Sequence, residues 1–281
     1  MTAFISKKNS NILKLLQSSR KDKRTIATER KKADDLLLNT LPKINANELK
    51  EHGSTKPQHY ESATVLFTDF AGFTKIADNM PAEILVQELD HCFSFFDSII
   101  DKYSLEKIKT IGDSYMACGG IPLSNRTHAI DATLAAIEMQ AFMARLNSRK
   151  VASSLPYWEL RVGIHTGPLV AAVIGKMKFQ YDIFGDTVNT ASRMESTGAT
   201  GRINISDTTY KSISEYFVCD YRGKIEARNK GMMDMYFVNG IHEHLSMKGE
   251  GHLPNSAFHS LYNELARTSS TWNSFDNYAI R

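Results

Sequence analysis

The hydrophobic period of this chain switches between that of a strand and that of a helix in one particular order, and the order leaves few folds open. Ala63-Thr64-Val65-Leu66-Phe67 is a short apolar, β-rich run, the pattern of a buried strand. From Pro81 to Tyr103, Ile84, Leu85, Leu89, Cys92, Phe93, Phe96, Ile99 and Ile100 recur three or four apart. That spacing predicts an amphipathic helix with proline in its first turn. Lys107–Ile111 and Ser114–Cys118 flank the turn pair Gly112-Asp113 and read as a β-hairpin. A second amphipathic helix follows from Thr127 to Leu146 through Ile130, Leu134, Ile137 and Ala141. Leu160–Thr166 and Leu169–Ile174, parted by Gly167-Pro168, read as two further strands. The resulting order is β-α-β-β-α-β, an α+β fold of ferredoxin-like or palm type. A strand-helix-strand extension comes next: Gln180–Phe184, then Thr187–Met194 with Asp186 as N-cap, then short strands at Ile203–Ser206 and Met235–Val238.

Three regions are expected: 1–59, 60–240 and 241–281. In the first, Ile12, Leu15, Leu16, Ile26, Ala33, Leu36 and Leu37 recur at roughly helical spacing, which predicts an N-terminal helix or weak coiled coil that Pro42 ends or kinks. Gly53-Ser54-Thr55-Lys56-Pro57 reads as a linker. The net charge of +3 conceals an asymmetry, because residues 1–32 carry ten Lys and Arg against Asp22 and Glu29. Such a tract suits nucleic acid or anionic lipid, but a solvated helical arm is the more ordinary reading, and no nucleic acid is expected. Residues 241–281 read as a polar, loosely packed tail with scattered aromatics such as Trp272 and Phe275. Its histidines, His242, His244, His252 and His259, are irregularly spaced and lack cysteine partners, so a solvated tail is preferred to a zinc site.

Cys92, Cys118 and Cys219 show neither a disulfide framework nor zinc spacing, which fits a reducing cytosol. No window approaches the ~18 uninterrupted apolar residues of a membrane-spanning helix, and the basic N-terminus lacks a secretory apolar core. A cytoplasmic location is expected.

Several polar residues stand where chemistry is cheap to build. Asp69 lies at the end of the first strand and Asp113 at the tip of the hairpin. In a palm fold those strands run antiparallel side by side, so the carboxylates can meet and present hard oxygen ligands to Mg²⁺ or Mn²⁺. The loop containing Gly72 offers backbone N–H groups to a triphosphate. Aspartates are also common at turns, so the pair alone does not establish a metal site. Asn189 and Arg193, at i and i+4, share a helix face and suit a sugar oxygen and a phosphate, although a solvated stripe has the same spacing. Lys109 interrupts an apolar strand, where a lysine usually snorkels to water. Asp182 interrupts an aromatic one, where a carboxylate is costly unless paired.

The joint wording of four segments goes further. Thr64–Thr74 (TVLFTDFAGFT), Glu106–Ala117 (EKIKTIGDSYMA), Arg161–Gly167 (RVGIHTG) and Gln180–Glu195 (QYDIFGDTVNTASRME) resemble, in order, the class III adenylyl and guanylyl cyclase catalytic domain. Asp34–Gly53 resembles the transducing helix that precedes many such domains. The resemblance implies that Asp69 and Asp113 bind two divalent cations, with the Phe70 carbonyl an extra ligand. It implies that Gly72, Phe73 and Thr74 border the triphosphate, and that Lys109 and Asp182 read the base. Asn189 would orient the ribose, Arg193 would stabilise the transition state, and Lys230 or Arg228 would hold the terminal phosphates. Family members that use GTP carry glutamate at the Lys109 position, so ATP is the implied substrate and cyclic AMP the product. A homodimer with two shared sites is implied, with an upstream sensory domain or regulator acting through the N-terminal helix. Pro168 departs from heterodimeric relatives that place an arginine there, which shifts phosphate binding toward Lys230 and Arg228.

Overall fold

A computed structural model describes the backbone of residues 2–267 and the side chains of residues 19–267. In chain order the elements are α1 (Thr2–Leu38), α2 (Lys43–His52), β1 (Gln58–Ala71), α3 (Phe73–Ala77), α4 (Ala82–Lys102), β2 (Glu106–Ile111) and β3 (Ser114–Gly119). There follow α5 (His128–Ala152), β4 (Glu159–Ile174), β5 (Gln180–Phe184), α6 (Asp186–Ser196), β6 (Ile203–Ser206), α7 (Asp207–Ile213), β7 (Phe217–Ala227), β8 (Gly231–Ile241) and α8 (Ser256–Arg267). The chain divides into two compact units: residues up to Lys56 together with Val173–Tyr181, and Pro57–Ala172 together with the residues from Asp182 onward.

In the smaller unit α1 stops at Leu38, and Pro42 stands immediately before α2, where a missing N–H costs nothing. Gly53 ends α2 in the left-handed conformation, φ 70°. Lys50 and Asp34 join the two helices by an ion pair of 2.6 Å. No described helix is long and apolar enough to cross a membrane.

The larger unit is built on a sheet of order β2-β3-β1-β4-β6-β8-β7, with β5 pairing β4 off that path. β1 is antiparallel to both β3 and β4, while β4 and β6 run parallel. The first four strands have the ferredoxin-like order, as the alternating periods predict. Side chains of a strand alternate between faces. Leu66 and Phe70 of β1 and Leu160, Val162 and Ile164 of β4 join the core built with α4, α5, α7 and α8. Phe70 packs there against Phe93, Phe96 and Trp158. The intervening residues, Asp69, Arg161 and Gly163 among them, therefore face α6. A Cβ on Gly163 would lie 1.9 Å from the Glu195 backbone nitrogen, so the depth at which α6 seats depends on that glycine.

A buried polar chain crosses the sheet. His128 Nδ1 lies 2.7 Å from Thr64 Oγ1, which is 2.8 Å from Thr166 Oγ1. Thr209 Oγ1 follows at 3.1 Å, Ser206 Oγ at 3.2 Å, and His165 Nδ1 at 2.7 Å. Burial lowers His128 to about 4; burial and the charge of Lys230 lower His165 to about 4.

Three readings from sequence need revision. Gly167-Pro168 does not divide two strands; β4 is continuous, and the register shift between Tyr60 and Ala63 lies opposite Pro168, the kind of irregularity that accommodates proline in a sheet. Gly185, φ 137°, is the N-cap of α6, and Asp186 is its first helical residue. The segment after residue 240 is not loosely packed throughout: Leu245 and Phe258 are 1% exposed, and Tyr262 donates to Asp131 at 2.7 Å. Residues 268–281, with Trp272 and Phe275, lie outside the described residues.

Gly163→Ala should lower the free energy of unfolding by about 3 kcal/mol, because backbone rather than a mobile side chain meets the new methyl; chemical denaturation measures it. Between pH 6.5 and 4 the unfolded chain binds protons that neutral His128 does not, so its contribution to stability falls as pH drops through that window. The stability gap between wild type and His128→Gln should therefore fall by about 3 kcal/mol from pH 7 to pH 4. Taking the difference between proteins matters, since burial raises Asp131 to about 6 and Glu106 to about 7, which acts in the opposite direction.

Candidate active site

The register of β1 against β3 pairs Thr68 with Tyr115, which brings the end of β1 beside the hairpin turn. Asp69 and Asp113 meet there. Ser114 donates to Asp69 Oδ1 at 3.0 Å, and Arg161, its register partner on β4, donates to Oδ2. Burial and the neighbouring charge of Asp69 raise Asp113 above the usual carboxylate range, while the backbone N–H groups of Asp113 and Phe70 pull it down. Arg161 also approaches Glu195 on α6, Nε to Oε1 3.0 Å. That pair is an ion pair without hydrogen-bond alignment, and both atoms are buried with no other hydrogen-bond partner. Burial and Asp69's charge raise Glu195 to about 7 against the pull of Arg161.

Lys109 on β2 and Asp182 on β5 form a second assembly. Lys109 Nζ donates to Asp182 Oδ2 at 2.5 Å, and the Ile183 backbone N–H donates to Oδ1 at 2.9 Å. The Asp182 side chain is 7% exposed and that of Lys109 30%. Pairing thus answers the cost of a carboxylate in an aromatic strand.

The third group rides on α6. Asn189 is exposed and Arg193 half-buried on one helix face. Lys230, in the turn between β7 and β8, donates to Asp186 at the start of the same helix, and its side chain is 18% exposed. Arg228 in that turn is exposed. Gly72, φ 74°, opens α3, and its carbonyl accepts from the N–H groups of Lys75 and Ile76. The N–H groups of Phe73 and Thr74 thus sit in a first turn, where the helix supplies no acceptor.

Among the described residues, no hydrogen bond or ion pair joins the Asp69–Asp113 pair to Lys109 and Asp182, or either to Asn189 and Arg193. One chain holds three separate groups. Sequence reasoning did not single out Ser114, Arg161 or Glu195, and read Asp186 only as an N-cap. Arg161 left a signal, a charge between Leu160 and Val162 in a strand otherwise destined for burial.

The donor set at Asp69 and Asp113 suits a hard divalent cation. Two partly exposed carboxylates stand close enough that one raises the other, a deficit of positive charge that Arg161 only partly fills. Among the described residues no group of three or more His, Cys, Asp or Glu gathers as a cage, so further ligands would come from water and phosphate.

The family described as the adenylate and guanylate cyclase catalytic domain matches residues 55–240. An adenylate cyclase of Mycobacterium tuberculosis is 38% identical over 226 residues, 80% of this chain and 50% of that protein. Guanylyl cyclase C of Homo sapiens is 38% identical over 217 residues, 76% of this chain and 20% of that protein. This chain thus spans half or less of the length of these curated relatives. The crystal structure of the adenylyl cyclase CyaB from P. aeruginosa shares the fold with a TM-score of 0.62 at 30% identity, over 66% of this chain and 96% of that chain. Matched over most of its length, the chain belongs to the adenylate and guanylate cyclase catalytic domain family.

Proposed function

We propose that the chain is an adenylate cyclase, a phosphorus–oxygen lyase converting ATP to 3′,5′-cyclic AMP and pyrophosphate for signalling inside the cell. The observation that carries this reading is the Lys109–Asp182 pair, in which a buried carboxylate meets a partly buried ammonium. Adenine offers an exocyclic amine donor and a ring-nitrogen acceptor, which match a carboxylate and an ammonium. Guanine would set a carbonyl against Asp182, acceptor against acceptor, and leaving a buried polar group unmatched costs ~1–3 kcal/mol. Guanylate cyclase activity is the rival reading, because a guanylyl cyclase is as similar overall as an adenylate cyclase. A non-catalytic nucleotide-binding homologue is disfavoured by the retention of Asp69, Asp113, Asn189 and Arg193 together.

The ribose 3′ oxygen attacks the α-phosphorus as the bond to pyrophosphate breaks, and the hydroxyl proton leaves to solvent. Two divalent cations, Mg²⁺ or Mn²⁺, held by Asp69, Asp113 and the Phe70 carbonyl, would supply Lewis acidity at the attacking and phosphate oxygens. Asn189 orients the ribose. Arg193 meets charge that grows toward the transition state, which is the interaction that raises rate. Backbone N–H groups at Gly72, Phe73 and Thr74 border the phosphates. Lys230, anchored by Asp186, is favoured over exposed Arg228 for the terminal phosphates.

The separation of the three groups within one chain supports a two-fold homodimer in which each site draws its cation ligands from one protomer and Lys109, Asp182, Asn189 and Arg193 from the other. Ile111, Phe184 and Met232, large apolar side chains left exposed, are consistent with a covered face. The basic N-terminal helix couples an upstream sensory domain or regulator to this geometry, in the cytoplasm.

With Mn²⁺, the purified chain should turn over ATP well ahead of GTP, and Lys109→Glu should cut kcat/KM for ATP at least about 100-fold while raising the GTP-to-ATP ratio. Predominant cyclic GMP from wild type would transfer the assignment to the rival reading. Asp113→Ala and Arg193→Ala should each be inactive alone. Mixed and allowed to exchange, they should recover about a quarter of wild-type activity, since half the dimers then carry one intact site of two. No recovery despite exchange would exclude shared sites.

A further inference from the structure

An arginine that the proposed reaction does not use sits on the carboxylate pair. Arg161 bonds Asp69 Oδ2 while Ser114 takes Oδ1, so both oxygens that would grip a cation are already engaged. On its other side Arg161 makes an ion pair that is not an aligned hydrogen bond. Its Nε is 3.0 Å from Glu195 Oε1 but misaligned, and both atoms are buried without another hydrogen-bond partner. Buried polar atoms left so are costly. A small rotation of the guanidinium away from Asp69 would align it on Glu195 and form a charge-assisted bond. The Glu195 backbone packs directly against β4 at Gly163, which keeps its carboxylate beside Arg161.

We propose that Arg161 is an exchangeable counter-charge: it neutralises Asp69 in the cation-free protein and shifts its hold to Glu195 when Asp69 takes a divalent cation. This rests on Asp69 being a cation ligand. Arg161 offsets the repulsion between Asp69 and Asp113, so the pair stands assembled before loading. It also competes for Asp69 Oδ2, which sets cation affinity below what two free carboxylates would give. Glu195 lowers that barrier by receiving the guanidinium. Arg161 is thus a positioning residue, with no contact to substrate required.

The test is Mn²⁺ uptake by the full chain, followed by electron paramagnetic resonance, with the melting temperature of each cation-free variant recorded alongside. Wild type should bind Mn²⁺ in a manner lost in Asp69→Asn; uptake indifferent to that change would remove the cation reading itself. Given Asp69-dependent uptake, Arg161→Met should bind Mn²⁺ about tenfold more tightly yet melt lower without it. Glu195→Gln should bind several-fold more weakly, and the double variant should match Arg161→Met, because Glu195 acts through Arg161. Unchanged or weaker binding in Arg161→Met overturns the proposal. So does a Glu195→Gln penalty of equal size with and without Arg161, which is what plain through-space charge predicts. Should Arg161→Met not fold, Arg161→Lys keeps the charge but cannot span both carboxylates; the Glu195→Gln penalty should vanish there, and its persistence counts against the proposal.

Discussion

Two like charges held side by side are the constraint around which this domain is arranged. Asp69 and Asp113 arrive from different elements, a strand end and a hairpin turn, and the charge of Asp69 makes Asp113 harder to ionise. Nothing about carboxylates favours that meeting; the surrounding sheet enforces it. The β1–β3 register supplies Ser114 to one oxygen, and β4 supplies Arg161 to the other. Arg161 in turn needs Glu195, and Glu195 can be near only because residue 163 has no side chain. The same helix carries Asp186, Asn189 and Arg193. The seat of α6 against β4 therefore sets where Asn189 and Arg193 stand in the domain.

The βαββαβ core was legible because each of its segments repeats one period long enough to be unmistakable. The helix through Ile84, Leu89, Cys92, Phe96 and Ile100 is the plainest case. What the sequence concealed has physical causes. Gly167-Pro168 carries the composition of a turn, yet β4 runs through it because the partner strand shifts register opposite. Strand β7 lacks an apolar alternation, since among the described residues it is an edge strand paired to β8 alone, with just its two end residues buried. Residues 241–267 are polar in sum, but Leu245 and Phe258 are buried and anchor them. At the site, candidates were found one residue at a time or through resemblance. The Arg161–Glu195 link spans a strand and a helix 34 positions apart, and neither periodicity nor spacing encodes such a contact.

Choice of purine is a local property riding on a general scaffold. Overall similarity cannot separate the two substrate classes, because relatives bearing either name stand at 38% identity. On the proposed reading the discriminating chemistry resides in Lys109 and Asp182, and the burial of the Asp182 carboxylate gives the pair weight. An exposed lysine and aspartate would trade partners with water at little cost, whereas Asp182 at 7% exposure must find its match in protein or ligand.

The row of hydroxyls between His128 and His165 has a consequence of its own. Each threonine or serine owns a single proton, so if every link is satisfied and Ser206 keeps its proton within the row rather than giving it to Thr208, 3.0 Å away, all of them must point the same way along the row. Only two such collective settings exist. In one, Nδ1 of His128 accepts and Nδ1 of His165 donates; in the other the roles reverse. Two imidazoles, one at the start of α5 and one on β4, then adopt opposite tautomers, and a flip at either ring is transmitted, one rotor at a time, to the far side of the sheet.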